Sequence, residues 1–153
     1  MNEHEKWMAL ALEHARAAAA RGEIPVGAVI VKDGKLLSAA GNEREALHDV
    51  SAHAELLALR RAGEKTGRWT LTGCTLYVTL EPCPMCAGAI VQARPDAVVF
   101  GAFDPQMGAM GSVYAMNYDR RIGGSIPATG GVMQEECTAL LQDFFTDRRR
   151  ENG

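Results

Sequence analysis

His53 and Glu55 stand two residues apart, and Cys83 and Cys86 follow about thirty residues later, three apart from each other. One imidazole and two thiols suit zinc, and they are one ligand short of the four that a closed structural site uses. The missing ligand leaves a position for water. Glu55 is near enough to serve that water without binding the metal itself. Pro82 and Pro84 stop a strand-forming run, and a helix rich in small residues follows from about Met85 to Ala93. Cysteines at i and i+3 in the first turn of that helix share a face. The positive end of the helix dipole favours the thiolates that a metal needs.

Zinc, one ion per chain, lowers the pKa of bound water towards roughly 7, so zinc hydroxide is the expected nucleophile. An amidine carbon such as C6 of adenine or C4 of cytosine is the electrophile this chemistry fits. Glu55 would take the water proton, deliver it to the ring nitrogen and help ammonia leave. Two other readings use the same cysteines. A structural zinc site needs a fourth protein ligand, which Cys74 or Cys137 could supply only if the fold brought it in. A redox C-x-x-C pair would leave His53-Ala54-Glu55 idle. The combination of H-x-E with P-C-x-x-C is the signature of zinc-dependent nucleobase deaminases.

The rest of the chain bounds the setting. Its 153 residues, 47% hydrophobic and 23% charged, fit one domain of an ordinary soluble protein, taken as residues 1–153. No apolar run approaches the roughly 20 residues that span a membrane. The start, Met1 to Lys6, lacks the cationic and apolar regions of a secretory signal, so a cytoplasmic protein without membrane contact is expected. Four cysteines do not suggest a disulfide framework, and Cys74 and Cys137 are expected as buried free thiols. A net charge of −3 gives no global attraction to nucleic acid, so any such contact must use local basic residues.

The elements that must position the site follow from periodicity. Trp7, Leu10, Ala11, His14, Ala15 and Ala18 predict a helix from about 3 to 20, ended near Gly22. Ile24–Val31 and Leu36–Ala40 predict strands joined by Lys32-Asp33-Gly34-Lys35. Residues 42–50 are a loop over the site, and a helix runs from 53 to 62. Residues 71–80 and 97–101 are strands, and 104–125 are loop with room for one short helix. Residues 126–132 are a last strand, placed at an edge because Pro127 interrupts it. Cys137, Leu140, Leu141, Phe144 and Phe145 pattern the final helix. This order implies one α/β domain with a mixed sheet covered on both faces.

Longer blocks carry a resemblance. Pro25-Val26-Gly27-Ala28-Val29, Asn42, Ala52-His53-Ala54-Glu55, the run from Thr75 to Ala89, and Val98 to Asp104 with Gly108-Ala109-Met110-Gly111-Ser112 are similar to the bacterial tRNA-specific adenosine deaminase family. The resemblance implies the cytidine-deaminase fold, a three-layer α/β/α arrangement around a five-stranded mixed sheet, and a homodimer. It implies conversion of the wobble adenosine in a tRNA anticodon stem-loop to inosine. His53, Cys83 and Cys86 would hold zinc, with Glu55 as proton shuttle. Asn42 would hydrogen-bond the flipped-out base, its alternative being a turn-forming Asn after Gly41. Val26, the Ala54 amide and Asp104 would contact the substrate, and Asp104 has an alternative as the cap of the turn at Pro105.

Arg120, Arg121, Phe145 and Arg149 are candidate RNA contacts. Arginines 148–150 equally complement the dipole of the helix they close, and the spacing of Phe144 and Phe145 suits core packing for at least one. One segment departs from the family. Where relatives often carry an Asn-His pair, this chain reads Asp119-Arg120-Arg121-Ile122-Gly123-Gly124-Ser125-Ile126, which leaves the RNA footprint there open.

The rival enzyme is a free-base deaminase, of guanine or cytosine, on the same fold. Its resemblance lies in Pro82 to Cys86, Gly88-Ala89-Ile90 and Ala93-Arg94-Pro95. A zinc-stabilised RNA-binding module without catalysis is the other class of answer. It has no use for an unligated acid beside its metal.

Overall fold

A computed structural model describes residues 1–152; Gly153, the last residue of the expected domain, lies outside them. Helix α1 spans Glu3–Ala20, and Asn2 caps it through a reciprocal pair of hydrogen bonds with Glu5. Strands β1 (Gly27–Lys32) and β2 (Lys35–Gly41) form the expected hairpin. A single helical turn, α2 (Arg44–Leu47), interrupts the loop over the site and leads to α3 (Ala54–Thr66). Then come β3 (Cys74–Leu80), α4 (Pro84–Ala93), β4 (Ala97–Ala102), β5 (Ala128–Thr129) and α5 (Gln134–Asn152).

The sheet is five-stranded and mixed, in the order β2-β1-β3-β4-β5. β1 runs antiparallel to both β2 and β3, whereas β3, β4 and β5 are parallel. Side-chain alternation splits it into two faces. Val29, Val31, Tyr77 and Val99 face α1 and α5, where Trp7, Met8, Leu12 and Cys137 fill one core. Ala28, Ile30, Leu76, Val78, Val98 and Phe100 face α3 and α4, where Leu57, Ala58, Ile90 and Val91 fill the other. This is the expected three-layer architecture.

Helix α1 lies close on β1 at a glycine. A Cβ on Gly27 would meet the Ala11 carbonyl oxygen at 1.9 Å and the Ala15 nitrogen at 2.6 Å, so only glycine lets the helix lie this low on the strand.

Boundaries shift where local chemistry overrides periodicity. β1 begins at Gly27 rather than Ile24, after Pro25, which has no N–H for the ladder. β3 begins at Cys74 rather than Leu71, because Gly73 turns there with φ +87°. α3 continues past residue 62 to Thr66, ending at Gly67 in the left-handed region. The last strand shrinks to two residues beside Pro127, at the sheet edge as expected. Residues 104–127 hold two 3₁₀ turns, Met116–Tyr118 and Arg120–Ile122. Cys74 and Cys137 are buried free thiols.

Candidate active site

The site forms where two helices begin on the same face of the sheet. His53 is the N-cap residue of α3 and Cys83 that of α4; both have extended backbone and neither caps its helix with its side chain. Both side chains are thereby free to turn towards each other. Cys86 sits one turn into α4, three residues on, so the i, i+3 geometry starts from a cap position instead of from within the first turn. His53 Nδ1 lies 3.7 Å from Cys83 Sγ and 3.4 Å from Cys86 Sγ.

Tetrahedral zinc with Zn–S near 2.3 Å and Zn–N near 2.05 Å requires S···N separations of roughly 3.6 Å. The two observed distances bracket that value. All three ligand atoms lie within 4.8 Å of one another, and no other such group of His, Cys, Asp or Glu occurs among the described residues. Cys74 and Cys137 stand apart from the trio, so the described residues supply no fourth ligand and the structural-site reading loses its support.

The thiol electrostatics follow from that crowding. The hydrogen bond from Cys86 holds the Cys83 thiol down to about 4, with His53 adding to the effect. Cys86 is pushed up by the same pairing and by burial. His53 is raised, first by its hydrogen bond to Cys83. Glu55, on the first turn of α3 and 4% exposed, has its carboxyl raised by burial.

A cavity of about 370 Å³ opens over these groups, within the range of small-molecule sites. His53, Glu55, Cys83, Val26, Asn42 and Asp104 are among the residues that line it. Asn42 is buried, its backbone N–H donating to Val26 O at 3.1 Å and its carbonyl accepting from Arg21 Nη2 at 3.3 Å. Asp104 shows the turn-capping alternative directly: its Oδ1 accepts from the Gln106 and Met107 N–H groups at 3.0 and 3.1 Å. The same residue also borders the cavity. Ala54 is buried as the first residue of α3 and is not among the cavity's lining.

The remaining candidates lie outside the cavity. Arg120 and Arg121 are on the outer 3₁₀ turn, and Arg121 pairs with Asp119 at 2.8 Å. Phe145 is exposed and shares a separate groove with Phe103 and Arg149. Phe144 is half-buried, with the Arg148 guanidinium 5.1 Å from its ring centre, and Arg148 donates to Gly22 O at 2.6 Å. In the departing segment, a Cβ on Gly124 would lie 2.4 Å from Met116 O, so the loop has closed on the space a side chain would need.

Sequence reasoning passed over several residues that the cavity uses: Ile24, Arg44, Val50, Leu80, Met85 and Met107. It also passed over two buried carboxylates. Glu23 is 1% exposed and Glu81 2%, and both accept hydrogen bonds from backbone N–H groups of the loops around the cavity. The signal was there, since an acid inside an apolar run such as Leu80-Glu81-Pro82 must find donors if it is buried.

Comparison with known proteins agrees with this geometry. Residues 1–102 match the family described as the cytidine and deoxycytidylate deaminase zinc-binding region. The tRNA-specific adenosine deaminase of Bacillus subtilis is 43% identical over 151 residues, covering 99% of this chain and 94% of its own. That of Haemophilus influenzae is 46% identical over 148 residues, covering 96% of this chain and 86% of its own. A solved structure from work on A-to-I editing by tRNA:A34 deaminases superposes with a TM-score of 0.86 at 41% identity, covering 89% of this chain and 99% of that one. The guanine deaminase of Bacillus subtilis superposes less well, with a TM-score of 0.64 at 44% identity, covering 67% of this chain and 66% of that one. The chain belongs to the zinc-binding cytidine and deoxycytidylate deaminase family, within the group of tRNA-specific adenosine deaminases.

Proposed function

We propose that this chain hydrolyses the wobble adenosine of a tRNA anticodon to inosine. The observation that carries the reading is one cavity in which two of the three metal ligands, His53 and Cys83, meet a buried, unligated acid and a buried amide, Glu55 and Asn42, with Cys86 completing the ligand trio beside them. A bound zinc ion supplies Lewis acidity that makes water a usable nucleophile near neutral pH.

The protein's own groups do the rest. Glu55 takes a proton from the attacking water, the C6–O bond forms, and Glu55 returns that proton to N1 of the ring. Glu55 then takes the remaining proton of the hydroxyl added at C6 and passes it to the exocyclic nitrogen, so that the C6–N bond breaks, ammonia leaves and the C6 carbonyl of inosine forms with no redox change. Asn42 offers a donor and an acceptor to the purine edge and so holds C6 over the metal site. Val26 packs on the base and Asp104 flanks it, while the Ala54 amide, at the start of α3 and outside the cavity's lining, is assigned as an oxyanion-type donor. Reaching this cavity requires extrusion of the nucleotide, which an anticodon loop allows at low cost.

Arg120, Arg121, Phe145 and Arg149 belong to the RNA surface in this reading. Phe145 and Arg149 border a groove with Phe103, the residue that precedes cavity-lining Asp104. The chain acts as a single domain, since one sheet carries both cores. Exposed Met85, Phe103, Val113, Tyr114, Tyr118 and Ile122 support a homodimer that covers them. No helix is long and apolar enough to cross a membrane among the described residues. The cytoplasm is the compartment this substrate implies.

The test is incubation of the zinc-loaded protein with an anticodon stem-loop carrying adenosine at the wobble position, with free guanine and free cytosine alongside. Inosine in the RNA supports the reading. Turnover of a free base with untouched RNA replaces it with the rival deaminase, which the likeness to guanine deaminase makes the alternative to exclude.

A further inference from the structure

Two loops wall the cavity, and each hangs from one buried carboxylate that the deamination chemistry does not use. The first wall, residues 42–50, includes α2, whose own N-cap residue Glu43 makes no side-chain cap. Glu23 supplies the cap from the lead-in to β1. Its Oε1 accepts from the Glu45 N–H at 3.0 Å and its Oε2 from the Ala46 N–H at 2.8 Å. The second wall, residues 104–112, is tied to Glu81, the residue before the metal-binding Pro82-Cys83 turn. Oε1 of Glu81 accepts from the Asp104 N–H at 3.1 Å and from the Ser112 hydroxyl, and Oε2 accepts from the Met110 and Ser112 N–H groups at 3.0 Å each. Gly108 lies against this carboxylate so closely that a Cβ there would sit 2.5 Å from Glu81 Cδ and Oε1. The loop is thus shaped around the acid. Neither carboxylate has an ion-pair partner among the described residues.

We infer that Glu23 and Glu81 are positioning residues that set the separation of the two walls and thereby the fit of the nucleotide. Glu23 works through Arg44 and Val50, and Glu81, which itself borders the cavity with its carboxylate oxygens turned to loop donors, works through Asp104 and Met107, the cavity-lining residues of the segments they hold. Asn42 is held separately, by Val26 and Arg21. A carboxylate is required because every donor it meets is an N–H or O–H. A glutamine in the same place has one acceptor oxygen and an NH₂ group that faces other donors, leaving buried N–H groups unpaired.

The inference rests on the deaminase reading, and the experiment separates the two. Steady-state kinetics on the wobble-adenosine stem-loop compare wild type with Glu23→Gln and Glu81→Gln. Zinc content and hydrogen exchange of residues 44–47 and 104–112 are measured in parallel. The expected result is a KM raised roughly tenfold with kcat little changed, full zinc, and faster exchange confined to the wall that was released.

If Glu81→Gln does not fold, Ser112→Ala decides. It keeps the acid and three N–H donors, and is expected to raise KM by about threefold. KM within twofold of wild type in the folded variants, or a fall in kcat at unchanged KM, overturns the positioning role. Absence of wild-type activity on the stem-loop defeats the deaminase reading instead.

Discussion

Glu55 carries its carboxyl in a setting that resists ionisation, with burial as the largest influence and the His53 and Cys83 side chains beside it. That is a costly place for an acid unless it handles a proton. Glu55→Ala is therefore expected to abolish measurable inosine formation, a loss of at least 10²–10⁴-fold, while zinc content and thermal stability stay near wild type. Loss of the metal together with activity would make Glu55 a structural residue.

Cys137 tests burial elsewhere. Burial pushes its thiol up to about 12 from an ordinary value of 9.0. The folded state thus favours the neutral thiol, and this contribution is present below pH 9 and lost as pH rises from 9 towards 12. Urea titrations from pH 8 to 10.5 should show stability falling with pH in wild type and falling less steeply in Cys137→Ala. Iodoacetamide at pH 8 should spare Cys137 until the chain unfolds.

At the scale of elements, packing follows from which residues lack side chains as much as from which have them. Gly27→Ala would drive a methyl group into the backbone of α1 at Ala11 and Ala15. Backbone atoms cannot swing aside, so a destabilisation of about 1–3 kcal/mol, at the upper end, is expected in denaturant melts. An unchanged midpoint would mean that α1 sits higher on the sheet.

The elements with strong periodicity were legible in the sequence: α1, α5, the hairpin with its Asp33-Gly34 turn, and β3 and β4. The metal trio was legible too, since ligand type and spacing are properties of the chain itself. The walls of the cavity were not. Residues 42–50 and 104–125 have no period, and the segments 45–46 and 104–112 are hydrogen-bonded to Glu23 and Glu81, which reach them from 22 and 23 positions or more away. Asp104 illustrates the limit. Its two readings were turn cap and substrate neighbour; the structure shows the turn cap and puts the residue at the border of the cavity.

For the whole molecule, the metal site is also a clasp. His53 begins α3 and Cys83 begins α4, so one ion joins two helices that cover the same face of the sheet. Binding to the native state alone stabilises by mass action, about 4 kcal/mol when free zinc exceeds its Kd a thousandfold. Chelation should lower the melting temperature by several degrees and stoichiometric zinc should restore it, as differential scanning calorimetry can check. An unchanged transition would mean that the trio holds no metal in solution.

The same scale contains the central claim, that a whole protein of net charge −3 delivers a tRNA base to hydrolytic chemistry. The most direct measurement is mass spectrometry of the wobble nucleoside after reaction of the zinc-loaded protein with a wobble-adenosine anticodon stem-loop in ¹⁸O-labelled water. The account predicts inosine at that single position with one labelled oxygen, and one ammonia released for each. Adenosine left intact, or inosine without the label, would contradict it.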